Sequence, residues 1–255
     1  MTHPLFDLAG QTALITGSGQ GIGLSLALGL ASAGAQIVLN GRSADRLAAA
    51  VQTLRDAGAK PLLLPFDVTD HAGARSAIDT FEATIGPIHI LVNNAGIQRR
   101  APLEDFDPAD FEALMQTNIA GVFHPAQAAA RHMIRRGTGR IINLASIQTA
   151  LARPTIAPYT MTKGAVANLT KGMATDWGPK GLRVNALAPG YFDTPMNAAL
   201  VADPDFTAWI TRRTPAGRWG KLEELQGACI FLASPAASYI NGQVLFIDGG
   251  MSACL

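Results

Sequence analysis

The chain has 255 residues, 48% of them hydrophobic and 15% charged, and a net charge of +1. The length suits one sheet-containing domain with a sizeable core, and the near-neutral balance argues against capture of nucleic acid. No apolar run is long enough to span a bilayer and the opening residues lack the basic flank of a secretory signal, so the expectation is a cytoplasmic globular enzyme with no membrane partner.

Strands are expected at 12–16, 36–40, 61–66, 88–92, 140–144, 183–188 and 243–247 from their apolar runs. Helices are expected at 21–33 and 44–57, with helical stretches between most of the later strands. Ser43, Asp67 or Thr69, and Asp107-Pro108 mark helix starts; Gly34, Gly58, Gly86 and Gly137 mark stops. Strand and helix in alternation predict a doubly wound α/β domain, a parallel sheet with helices on both faces. The alanines at 126–130 read as a close-packing helix face.

Ligands of such folds bind beyond the carboxyl ends of the strands. After the first strand stands Thr16-Gly17-Ser18-Gly19-Gln20-Gly21-Ile22-Gly23. Taken alone this is as readily an ordinary glycine-rich turn; between a strand and a helix it becomes a candidate pyrophosphate cradle, with free N–H groups and a positive dipole end facing the anion. After the second strand comes Asn40-Gly41-Arg42-Ser43, with no carboxylate for a ribose 2'-hydroxyl. Arg42 can pair with a 2'-phosphate through two hydrogen bonds and Ser43 can add a donor, which favours NADP(H) while leaving NAD(H) open; the alternative for Arg42 is a solvated loop cation.

Tyr159 and Lys163 stand one helical turn apart, downstream of Ser146 at the end of an apolar strand. A free phenol ionises at about pH 10, so a neighbouring ammonium is needed to make its anion accessible near neutrality. Y-x-x-x-K is also an ordinary helix-surface pair. The five histidines (His3, His71, His89, His124, His132) lack ligand spacing, and no metal is expected. Cys229, in the apolar run 228–232, is expected in the core; Cys254 adjoins the terminus.

With the glycine pattern, Asn93-Asn94-Ala95-Gly96, Ser146 and Tyr159-x-x-x-Lys163 in order, the chain resembles the short-chain dehydrogenase/reductases over nearly its whole length. The resemblance implies a single Rossmann-fold domain over 1–255, with a substrate-covering segment around 190–220. It implies that Gly17, Ser18, Gln20, Gly21, Ile22 and Gly23 hold the dinucleotide and that Asp67 and Val68 contact adenine. Asn94, Ala95 and Gly96 would pass the ribose, and Pro189, Gly190 and Thr194 would hold the nicotinamide. It further implies a catalytic set: Ser146 on the substrate oxygen, Tyr159 as acid and base, Lys163 on the tyrosinate and nicotinamide ribose, and Asn118 organising a water linked to Lys163. Asn118 by itself reads as a helix-bending residue. A homotetramer is implied by analogy, with the apolar segment 244–255 available to pack on another subunit.

The segments NNAGIQRR (93–100), GMATDW (172–177), APGYF (188–192) and RTPAGRWG (213–220) are similar to the gluconate 5-dehydrogenase branch of that family. A sugar acid or polyol substrate is thereby implied. Arg99, Arg100 and Arg153, with Gln148, are candidates for its carboxylate and hydroxyls; each arginine could instead be a surface cation or an intersubunit pair. Carbonyl reduction of a carrier-bound 3-oxoacyl chain and a non-catalytic dinucleotide-binding role are the alternatives. Two departures stand out. Thr149-Ala150 replaces a Ser-Glu common in such dehydrogenases, which predicts a lost polar contact at the substrate mouth and relaxed selectivity. Gln20 stands where NADP-using relatives often carry a cation, leaving Arg42 as the main charge for the 2'-phosphate.

Overall fold

The structure, a computed structural model, describes residues 3–254. Strand and helix alternate from β1 (Thr12–Ile15) and α1 (Gly21–Ser32) through β2 (Gln36–Leu39), α2 (Ala44–Asp56), β3 (Leu62–Leu63), α3 (His71–Thr84) and β4 (Ile90–Asn93). There follow α4 (Pro108–Met115), a π-helical turn (Gln116–Ala120), α5 (Gly121–Arg136), β5 (Gly139–Leu144), α6 (Ala157–Trp177) and β6 (Leu182–Pro189). The chain closes with α7 (Ala198–Val201), α8 (Pro204–Arg213), α9 (Gln226–Ala233) and β7 (Val244–Ile247).

All seven strands are parallel, in the order β3-β2-β1-β4-β5-β6-β7. The order reverses beside β1, which places the ends of β1 and β4 at the crevice where dinucleotides bind in such sheets. Central strands are covered on both faces: Ile15, Leu39 and Val92 pack against α1 and α9, whereas Leu14, Val38 and Leu91 face α3 and α5. That two-sided cover is why these strands read as continuous apolar runs rather than alternating ones. Ala126, Ala128, Ala129 and Ala130 of α5 are buried in the second layer, where their small size lets the helix lie close. Cys229 is buried in the first.

Ser43 and Asp107 cap α2 and α4 as expected, their side chains accepting the backbone N–H groups of Arg46 and Ala109. Two expectations are corrected. The cap of α3 is Asp70, because Asp67 is spent elsewhere: its carboxylate accepts from Thr69 N–H and Oγ1 and from Arg42. The third strand is a two-residue edge strand rather than a run over 61–66, since Leu62 and Leu63 pair only with β2 and their outer side is exposed. Proline on either side, Pro61 and Pro65, supplies no ladder donor to extend it.

Candidate active site

A single cavity of about 560 Å³ runs along the carboxyl ends of the strands, from the end of β2 to the loop after β6. Its floor is the glycine loop. Gly17 has φ of 62°, and a Cβ there would stand 2.9 Å from the Ala95 Cα; a Cβ on Gly23 would stand 2.6 Å from the Gly17 carbonyl oxygen. Any larger residue would therefore force β1's turn away from β4 and α1. Gln20 precedes α1 without a side-chain cap, so the first-turn N–H groups of Gly21, Ile22 and Gly23 remain for an anion in the cavity. Backbone donors beside a glycine cradle fit a pyrophosphate.

Most predicted cofactor residues meet here. Arg42, Ser43, Asp67 and Val68 line one end, Asn94, Ala95 and Gly96 the middle, and Pro189, Gly190 and Thr194 the other end. Asn94 is fixed by donating to the carbonyls of Thr16 and Gly17 at 2.9 and 3.0 Å. Ser18 does not line the cavity: it is buried and exchanges hydrogen bonds with the Asn40 backbone, tying the loop to β2. Arg42 is not a free cation, because it pairs with Asp67 at 3.3 Å. Arg46, on the first turn of α2, lines the same end of the cavity and forms no ion pair among the described residues. A Cβ on Gly19 would stand 3.1 Å from the Arg46 Cβ, so this turn abuts the glycine loop next to Gln20. The sequence reading missed Arg46, although its place three residues after the Ser43 cap is the signal that puts it there.

Ser146, Tyr159 and Lys163 converge at the nicotinamide end expected from the resemblance. Ser146 stands two residues after β5 and accepts the Gln148 N–H at 3.2 Å, while α6 delivers the other two from one face. Lys163 Nζ donates to the Leu144 carbonyl at 2.6 Å and lies 5.6 Å from the Tyr159 ring centroid. Burial pushes the Tyr159 phenol up to about 12, against the pull of nearby Ser146, and pushes the Lys163 ammonium down to about 8. The downward pull on the phenol comes from Ser146 and Arg100 rather than from Lys163 as expected, and it does not overcome desolvation. Asn118 lies behind the cavity wall, in the π-helical turn. Its amide donates to the Ile97 carbonyl and Thr162 Oγ1 and accepts the Ile97 N–H at 2.8 Å, so it braces the 94–97 loop against α6.

Of the substrate candidates, Arg100, Gln148 and Arg153 line the cavity; Arg99 turns away to Asp110 at 2.8 Å. Two rim loops are joined where Ala101 N–H donates to the carbonyl of Thr155, a non-glycine residue held at φ 71°. Ala150 is exposed and does not line the cavity, so it offers the substrate no contact, in keeping with the expectation that a polar contact is missing there. Tyr191, unassigned in the sequence reading, forms a wall instead. Its ring stands edge-on to Trp209 and Trp219, and its hydroxyl accepts from Gln148.

Comparison with known proteins agrees with this geometry. A family model described as enoyl-(acyl carrier protein) reductase matches residues 17–252. The chain is 57% identical to a gluconate 5-dehydrogenase of Gluconobacter oxydans, with both chains covered in full, and 48% identical to a 5-keto-D-gluconate 5-reductase of Escherichia coli K12 over 97% of each. It superposes, with a TM-score of 0.96 and 99% of each chain covered, on a gluconate 5-dehydrogenase from Burkholderia cenocepacia crystallised with NADP and tartrate, at 58% identity. The chain belongs to the short-chain dehydrogenase/reductase family.

Proposed function

We propose that the protein is an NADP(H)-dependent oxidoreductase interconverting D-gluconate and 5-keto-D-gluconate, or a closely related sugar acid or polyol. One observation carries the substrate reading: Arg100 and Arg153 face the cavity that holds Ser146 and Tyr159, and neither forms an ion pair among the described residues. Burial, with the Arg153 guanidinium nearby, holds the Arg100 guanidinium below its ordinary range, and an anionic substrate relieves that cost. The names of the gluconate-acting relatives support the same reading.

NADP binding is supported by the missing carboxylate after β2, by Arg42, Ser43 and Arg46 at that end, and by NADP in the Burkholderia structure. Bound there, the cofactor supplies or accepts the hydride. Ser146 holds the substrate oxygen and Tyr159 moves its proton. A phenol pushed up to about 12 stays protonated at neutral pH, which suits it as the acid in carbonyl reduction. Lys163 holds the ribose and, when the phenolate forms, offsets its charge; Asn118 supports it through the loop–α6 brace. Residues 190–220, carrying Tyr191 and α8, cover the substrate within one domain spanning 1–255.

The protein is assigned to the cytoplasm and to a homotetramer. For the latter, β7 is an edge strand, and an unpaired edge invites a partner. Leu255, at the end of the expected packing segment, lies outside the described residues.

A kinetic panel of D-gluconate, 5-keto-D-gluconate, neutral hexitols and a 3-oxoacyl thioester, each with both cofactors, tests the reading. The highest kcat/KM is expected for 5-keto-D-gluconate with NADPH. Activity confined to neutral ketones or to the thioester would overturn the substrate, and no activity on any carbonyl would favour a binding role.

A further inference from the structure

Gln148 is nearly buried, 6% exposed, yet its Oε1 has no hydrogen-bond partner in the protein. Burying a polar atom without a partner is costly, and native structures retain such atoms mainly where a ligand or water completes them. Its place is set by its neighbour: Gln148 begins the turn after Ser146 and donates its backbone N–H to Ser146 Oγ. The amide therefore stands beside the group that holds the reacting oxygen. Its other end donates to the Tyr191 hydroxyl at 3.4 Å. Whichever way the amide is turned, one end meets Tyr191 and the other is unspent.

Tyr191 is itself immobilised. Phe206, Trp209 and Trp219 surround its ring at centroid distances of 5.8, 6.0 and 5.9 Å, all edge to face. The wall also fixes Arg153, whose guanidinium lies 5.5 Å over Phe206 and whose buried Nε likewise has no partner. One acceptor and one donor, both buried and unspent, thus belong to residues lining the same cavity. An apolar chain would leave both unmet; a run of hydroxyls would meet both.

We propose that Gln148 and Tyr191 form a hydroxyl-reading pair that selects substrates bearing a free hydroxyl on the carbon next to the one that exchanges hydride. The inference rests on the sugar-acid reading for its substrate, and extends it by naming what is recognised beside the carbonyl. It also accounts for selectivity at the mouth without a side chain at position 150.

The test compares kcat/KM for 5-keto-D-gluconate and for its 4-deoxy and 6-deoxy analogues, each lacking one of the two hydroxyls beside the carbonyl, in wild type, Gln148→Leu and Tyr191→Phe, with the ratio taken to the analogue that wild type reduces more slowly. Wild type should prefer the hydroxylated substrate by roughly 10- to 100-fold, the span expected when one buried polar partner goes unmet. Gln148→Leu should bring the ratio close to one through loss on the hydroxylated substrate alone, and Tyr191→Phe, which keeps the ring packing, should lower the ratio by about 10-fold or less. A merely structural role would lower both rates together and preserve the ratio. A wild-type ratio near one, or an undiminished ratio in Tyr191→Phe, overturns the proposal, and the Tyr191→Phe result stands even if Gln148→Leu fails to fold. If wild type ignores 5-keto-D-gluconate but reduces another polyhydroxy ketone, the sugar-acid identity fails, and the same ratio is read on that ketone and its deoxy partner.

Discussion

Burying the Lys163 ammonium carries a cost at neutral pH, and its linkage can be measured. Folded, it releases its proton at about pH 8; unfolded, a lysine does so near 10.5. Between these values the unfolded chain binds more protons, so stability rises with pH through the window. We expect the unfolding free energy of the cofactor-free protein to gain roughly 3 kcal/mol from this group between pH 8 and 10.5, with Tyr159 acting in the opposite sense above about 10. Denaturant titrations of wild type and Lys163→Met should differ by that slope; parallel pH profiles would contradict the buried assignment. At this scale the sequence was informative where chemistry is local and mute where partners are distant. Tyr159, Lys163 and Ser146 follow from the ordered motifs that carry the family resemblance, whereas Arg99 and Arg153 look alike in sequence. Asp110 separates them, taking Arg99 out of the site through a contact eleven residues away.

The end of β2 and the first turn of α2 are proposed to act together on cofactor choice. Asp67 already draws on Arg42, so the cation left to a 2'-phosphate is supplemented by Arg46, which approaches the loop where Gln20 carries no charge. Arg46→Ala and Arg42→Ala should each lower kcat/KM for NADPH by about 10-fold while leaving NADH nearly unchanged, the double variant should lose most of the preference, and added salt should narrow the difference. Kinetics with both cofactors decide it: an Arg46→Ala enzyme with unaltered discrimination would leave Arg42 as the sole cation. Element boundaries were legible where a cap or glycine marks them, as at Ser43, Asp107 and Gly137. They were not legible at α3, where Asp67, Thr69 and Asp70 lie within four residues and only the contacts of Asp67 with Thr69 and Arg42 show that it is occupied. The π-helical turn fits the reading of Asn118 as a helix-bending residue, but the partners of its amide, Ile97 and Thr162, are too distant in sequence to be foreseen.

Across the whole molecule, strand–helix alternation was enough to predict the parallel sheet, because each strand with two covered faces reads as a short apolar run. What alternation does not contain is the strand order and the convergence of the β2, β5 and β6 ends on one cavity, which follow from how the crossovers pack. In the proposed reaction this cavity moves hydride to one carbon of a sugar acid while Tyr159 supplies the proton. It is tested most directly by incubating 5-keto-D-gluconate with NADPH deuterated at the transferring position and examining the product by NMR, with Tyr159→Phe in parallel. The account predicts D-gluconate labelled at C5 from the wild type, and turnover lower by at least about 10²-fold in Tyr159→Phe with NADPH affinity retained. Label at another carbon, no label in the product, or a Tyr159→Phe enzyme near wild-type turnover would contradict it.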